Sequence, residues 1–175
     1  GALIMIIIYL LKPSDGAALL QEYLEENQHA VAQDMAVGGG SSVDDLAGFF
    51  GVSPHNQDAF AEVLRQEYAT LSPTYTGEQV TIEQAGTFIA VVTDAMMAHE
   101  DLRQDVLYWK NVREQQLQAQ FEQRLVPAID QLATEQGLSF IFSAQQGLVW
   151  ADPSLDVTQA LVDLVNSATP ATPSP

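Results

Sequence analysis

Gly137-Leu-Ser-Phe-Ile-Phe-Ser-Ala-Gln-Gln-Gly-Leu-Val-Trp-Ala-Asp-Pro-Ser-Leu-Asp-Val-Thr-Gln-Ala-Leu-Val-Asp-Leu-Val-Asn166 reads as a hairpin that runs directly into a helix. Leu138, Phe140 and Phe142 alternate with Ser139, Ile141 and Ser143, the period of two expected of a strand. Residues 144–147, Ala-Gln-Gln-Gly, supply the turn, and residues 148–151 the second strand. Asp156-Val-Thr-Gln159 has the spacing of a capping box ahead of the apolar run Leu161-Val-Asp-Leu-Val165. The beginning of the chain, Gly1-Ala-Leu-Ile-Met-Ile-Ile-Ile-Tyr-Leu-Leu11, is a run of β-branched and apolar residues halted at Lys12-Pro13. Residues 3–10 are therefore expected to pair with residues 138–143, which makes both ends of the chain parts of one small sheet.

Between those ends the pattern is helical. Ser14-Asp15 offers an N-cap pair, and Ala17, Leu20, Tyr23 or Leu24, Ala30 or Val31, and Met35 follow at helical spacing until Gly38-Gly-Gly-Ser-Ser42 stops them. Residues 43–50 form a short amphipathic helix closed by Gly51. Ser53-Pro54 opens another, with Phe60, Val63, Leu64 and Tyr68 as its apolar stripe, and residues 71–77 are a loop. Residues 81–98 carry two signals: Phe88-Ile-Ala-Val-Val92 suits a strand, while Ile82, Ala85, Ile89, Val92 and Met96 keep helical register, which favours a helix. A long helix over about residues 105–136 follows, marked by Leu117, Phe121, Leu125, Ile129 and Leu132. Pro127 is expected to kink or interrupt it and Gly137 to end it. The expected fold class is α+β and mostly helical, with a three-stranded body and a helical excursion. Residues 1–15 and 105–167 make the body, 16–104 the helical subdomain, and 168–175 a Pro-rich tail.

With 175 residues, 47% of them hydrophobic, the chain can bury a sizeable core. Its 23 acidic and 6 basic residues give a formal charge of -17. Phosphate binding is driven by Lys and Arg displacing counterions, so nucleic acid is excluded as a partner and an anionic membrane surface is disfavoured. Such acidity fits solubility, a salty habitat or a cationic partner. The chain has no cysteine, which removes disulfides, zinc-thiolate sites and thiol nucleophiles. The apolar start is shorter than the roughly 20 residues a membrane-spanning helix needs and lacks the basic flank of a signal peptide. Membrane association is expected only if an N-terminal anchor has been removed.

No residue pattern for catalysis, cofactor or metal binding stands out. His29, His55 and His99 are isolated, and the His99-Glu-Asp101 cluster cannot converge on one ion because adjacent helical residues point apart. Asp44-Asp45 suits a helix start better than a cation site. Gly38-Gly-Gly40 lacks the Lys and Ser/Thr of a phosphate loop, and no serine has a G-x-S-x-G context. An enzyme would need a cleft where His55 or His99 meets carboxylates distant in sequence. Two aromatic pairs, Phe49-Phe50 and Tyr108-Trp109, lie on segments of modest apolar content. They are expected in the core unless one member of a pair is exposed for partner contact.

A first strand, a helical excursion, a returning helix ending in Gly, a hairpin and a short capped helix form an uncommon order, and it resembles the periplasmic chaperone family Skp, also called OmpH. The junction Ile6-Ile-Ile-Tyr-Leu-Leu-Lys-Pro-Ser-Asp-Gly-Ala-Ala-Leu-Leu-Gln-Glu22, the segment Leu125-Val-Pro-Ala-Ile-Asp-Gln-Leu-Ala-Thr-Glu-Gln-Gly137 and the phrase Ala151-Asp-Pro-Ser-Leu-Asp-Val-Thr158 carry the likeness. It covers about the first 35 and the last 60 residues. The middle departs, because residues 38–71 are broken by glycine and proline where family members have long charged tentacle helices. Members that are best known are basic, so their electrostatic capture of acidic clients or lipopolysaccharide does not carry over. The resemblance implies a non-enzymatic, periplasmic or otherwise extracytoplasmic holdase for unfolded envelope proteins, assembled as a homotrimer. Ile4, Ile6, Ile8, Phe140, Phe142 and Val149 would form the sheet and oligomer interface; Phe49, Phe50, Tyr108 and Trp109 are the candidate client contacts. The alternative is a structural or accessory subunit of a larger membrane or envelope assembly.

Overall fold

The computed structural model describes residues 7–141, 143 and 152–168. Seven α-helices and several single-turn 3-10 segments account for the regular structure among them. The chain divides into two compact units, Gly1–Glu114 and Gln115–Pro175.

Helix α1 (Pro13–Val37) starts one residue earlier than the Ser14-Asp15 pair suggests, with Lys12 as N-cap. Pro13 takes the first helical position, where its missing N–H removes no bond and its fixed φ is already helical. The helix loses regular geometry at Asn27, whose side-chain amide donates to the Tyr23 carbonyl, 2.8 Å away. Gly38 ends it in the left-handed conformation, and the Gly39 N–H returns to the Asp34 carbonyl. The Asp34 carboxylate then accepts the Ser42 N–H at 2.9 Å, so α1 caps α2 (Ser41–Phe49). Helices α3 (Gln57–Gln66) and α4 (Tyr68–Leu71) follow a 3-10 turn at Pro54–Asn56.

Residues 82–98 form α5 (Ile82–Ala98), a helix and not a strand. Thr81 Oγ1 accepts the Gln84 N–H, and the Gln84 side chain accepts the Thr81 N–H, a complete capping box. Ala85, Phe88, Val92 and Met96 then bury one face, so the 3.6 period overrides the β preference of Phe88-Ile-Ala-Val-Val92. After His99 comes α6 (Glu100–Gln136), which begins earlier than expected and runs through Pro127 as one helix. Gly137 adopts φ +65° and the Leu138 N–H returns to the Ala133 carbonyl, which closes α6 where the sequence places its stop.

The core of the first unit lies between helices, with Phe50, Val52, Tyr75 and Val80 added from the connecting turns. Leu20, Leu24, Val31 and Met35 of α1 meet Leu46, Phe60, Leu64, Phe88, Val92 and Met96. Phe50 lies at its centre, its ring 5.9 Å from Phe60, 6.4 Å from Phe88 and 6.4 Å from Tyr9. In the second unit Ala128, Leu132 and Val165 of α7 (Thr158–Ser167) are buried.

The expected three-stranded sheet is not present: no strand occurs among the described residues, and the fold is helical instead of α+β. Ile8–Leu10 is a 3-10 turn closed by its own bonds, Leu10 N–H to Ile7 and Leu11 N–H to Ile8. Ile8 packs into the helical core. A run of isoleucines states only a preference for a half-buried, pleated surface; without a partner ladder, burial against helices satisfies the side chains as well. Phe140, expected at the sheet and oligomer interface, is 78% exposed, and residues 138–141 are not part of a strand. Ile4, Ile6, Phe142 and Val149, with the proposed hairpin turn, lie outside the described residues. The capping box expected at Asp156 is not formed either. Asp156 accepts the Thr158 N–H, but Gln159 donates forward to Asp163 at 2.9 Å instead of returning to a cap.

Candidate functional site

The first turns of α6 carry two stripes with different tasks. Leu102 and Val106 are buried in the core. Asp105, Trp109 and Arg113, each one turn apart, fasten the helix to the 51–56 turn and to Leu10. Asp105 accepts the Ser53 N–H at 3.0 Å, the Ser53 hydroxyl at 2.7 Å and the Asn56 amide at 3.0 Å. Trp109 Nε1 donates to the Gly51 carbonyl at 2.8 Å, and Arg113 donates to the Leu10 carbonyl at 2.9 Å. Gly51 has φ +63°, and a Cβ there would stand 2.4 Å from Trp109 Nε1. Glycine is therefore required twice, for the backbone conformation and for the close approach of the indole.

These bonds leave an open groove of about 750 Å³ between the 51–56 turn and residues 101–109 of α6. Val52, Pro54, Leu107, Tyr108 and Trp109 give it apolar and aromatic lining, with Asp101, Asp105 and His55 among its polar residues. Tyr108 is 60% exposed and meets Trp109 edge to face, the ring centroids 4.9 Å apart.

His55 therefore meets carboxylates distant in sequence, which is the arrangement an enzyme would require. The hydrogen bonds assign them another task. The Ser53 hydroxyl donates to Asp105 at 2.7 Å, and the His55 ring meets the same oxygen only at 3.5 Å, so the carboxylate is the serine's closer partner. No group of three ligating side chains suited to a metal occurs among the described residues. His29 is exposed on α1; His99 ends α5, its Nδ1 enclosed without a hydrogen-bond partner. Asp44 lies in the first turn of α2, and Asp45 accepts the Tyr23 hydroxyl at 3.0 Å. Burial, reinforced by Asp45, pushes the Tyr23 hydroxyl upward from its ordinary value.

The four candidate contact aromatics separate by environment. Phe50 fills the core; Phe49 is half-buried against Tyr23, 5.5 Å between rings. Trp109 is half-buried and tied to Gly51, and Tyr108 faces solvent. Sequence reasoning missed the groove's carboxylates and Leu107. The signal available was the four-residue repeat of Asp105, Trp109 and Arg113, which marks one helix face but names no partner for it.

Within the second unit, Leu117 and Phe121 of α6 are 47% and 52% exposed, and Val126 is exposed as well. Leu117 and Phe121 lie one turn apart on one side of α6, and Val126 lies on another side.

The family model for the OmpH-like outer membrane proteins matches residues 58–165, more than half of the chain. The chain belongs to the OmpH-like family. Searches among curated proteins and solved structures found no match. The OmpH-like match begins in α3 and ends within α7, so it includes all of α6 with its exposed apolar residues. It also spans residues 58–71, part of the region that departs from the tentacle pattern, and leaves out the N-terminal junction at residues 6–22. OmpH-like proteins are non-enzymatic periplasmic chaperones that bind other polypeptides.

Proposed function

We propose that this chain is a Skp-like holdase: an extracytoplasmic, non-enzymatic protein that binds unfolded envelope proteins and keeps them from aggregating. The observation that carries this reading is the set of exposed apolar side chains on α6, Leu117, Phe121 and Val126, inside the family-matched segment. Each contact is weak alone. Several presented together by an oligomer, a trimer on family grounds, hold a client by multivalency and need no nucleotide.

The test is suppression of aggregation of an unfolded outer-membrane β-barrel protein diluted from denaturant. Suppression at stoichiometric chaperone, weakened severalfold by the double change Leu117→Ser and Phe121→Ser, is the expected result. Undiminished aggregation with the natural chain would overturn the holdase. Light scattering tests assembly separately, and a stable monomer at working concentration would remove the trimer.

A further inference from the structure

The groove beside α6 has a chemistry that the exposed residues farther along the helix do not share. Its walls are apolar and aromatic, while the charged side chains lining it, Asp101 and Asp105, are both carboxylates. Asp105 is occupied by the three donors of the 51–56 turn. No donor among the described residues engages the Asp101 carboxylate, which is exposed one helical turn and three residues before Tyr108. Helical residues seven apart share a face, so Asp101 and Tyr108 place an exposed carboxylate and an exposed aromatic ring on the same side of α6, two turns or about 10 Å apart along the axis. A volume of about 750 Å³ is room for several side chains.

We propose that this groove docks a cationic, amphipathic segment of a partner polypeptide, with one Arg or Lys paired with Asp101, another over the Tyr108 ring two turns along, and the apolar side chains between them on Val52, Pro54 and Trp109. The inference rests on the reading of this chain as a polypeptide binder and gives the chemistry of one segment it selects. Charge decides among the occupants. A chain at -17 steers cations toward itself, and the carboxylates at the groove give that attraction an end point. Nucleic acid and anionic lipid are repelled by the same field. A second copy of the chain brings its own -17, and the chain's residues 1–6 contain no basic side chain.

Fluorescence anisotropy of a labelled peptide of about ten residues alternating Arg and Leu, against the full chain, tests this directly. A counterpart with Glu for Arg serves as the control. The expected result is binding of the Arg peptide alone, weakened about three- to tenfold by Asp101→Asn or by Tyr108→Ala. Both side chains are exposed, and an unchanged melting temperature shows that the fold persists. Glu83→Gln removes one charge away from the groove lining and is expected to leave the affinity within about twofold. Equal loss in Glu83→Gln and Asp101→Asn means diffuse attraction and overturns the proposal, as does equal binding of both peptides. Binding that appears only after deletion of residues 1–6 gives the groove to the chain's own N-terminus and overturns it too. The aggregation assay separates the two readings: suppression without peptide binding removes the groove alone, and peptide binding without suppression removes the holdase and leaves the groove.

Discussion

Gly51 and Tyr75 show how much a single position decides here. At Gly51 an added methyl group meets both a left-handed backbone, φ +63°, and the Trp109 indole at 2.4 Å. Gly51→Ala is expected to lower stability by about 2–4 kcal/mol through backbone strain and loss of the Trp109 bond. Urea unfolding followed by far-ultraviolet circular dichroism measures it, and a change below about 0.5 kcal/mol would show that the indole moves aside freely. Tyr75 is fully buried, and its hydroxyl has no hydrogen-bond partner. Tyr75→Phe removes an unsatisfied polar atom and keeps the ring that packs on Phe88, so stability is expected to rise by about 1 kcal/mol. Burial pushes the hydroxyls of Tyr9 and Tyr75 up to about 12 from their ordinary 10.0. Below pH 10 both forms of the chain keep these phenols neutral and the contribution is complete. As pH rises from 10 toward 12 the unfolded chain ionises first and stability falls. Tyr75→Phe should make that alkaline loss shallower; an unchanged pH profile would assign the loss to other groups.

At the scale of elements, helix ends explain most of what could and could not be read locally. Gly38 and Gly137 stop α1 and α6 where the sequence indicates, because a C-cap depends on one residue's conformational freedom and the turn before it. N-termini were less legible. Thr81-Ile-Glu-Gln84 forms a full capping box, whereas Asp156-Val-Thr-Gln159, of equivalent spacing, does not, since Gln159 has an alternative partner in Asp163. Pro127 was expected to disturb α6, yet the helical assignment continues through it. The attachment of α6 to the 51–56 turn was invisible to any such pattern. It depends on Asp105, about 50 residues away from the donors it accepts. Asp105→Ala would leave the buried Asn56 amide short of an acceptor and the Ser53 N–H unpaired, a loss of about 2–4 kcal/mol. Thermal denaturation reads this loss, and hydrogen exchange at residues 51–56 locates it. Protection unchanged in that turn would mean that Asp105 is not its anchor.

For the whole molecule, charge sets the expectation. Among the described residues the ion pair is Arg65 with Glu62 on the surface of α3, 2.7 Å apart, so attraction offsets little of a net charge of -17. Monovalent salt should therefore raise the melting temperature by a few degrees between low and physiological ionic strength, by screening repulsion. A fall with salt would mean that local pairs outweigh the net field. Composition and short-range spacing establish the helical stripes, the glycine stops, the absence of thiol chemistry and the resemblance to the family to which the chain belongs. These depend on composition or on residues within a few turns of one another, and backbone geometry converts such spacing into a face. Long-range packing settles the rest: Ile8 enters a core between helices and not a sheet, Phe50 is buried while Tyr108 is exposed, and a distant turn meets α6 to form a groove. A periodic pattern shows that a face will be buried, but the surface it is buried against is chosen by packing across the chain.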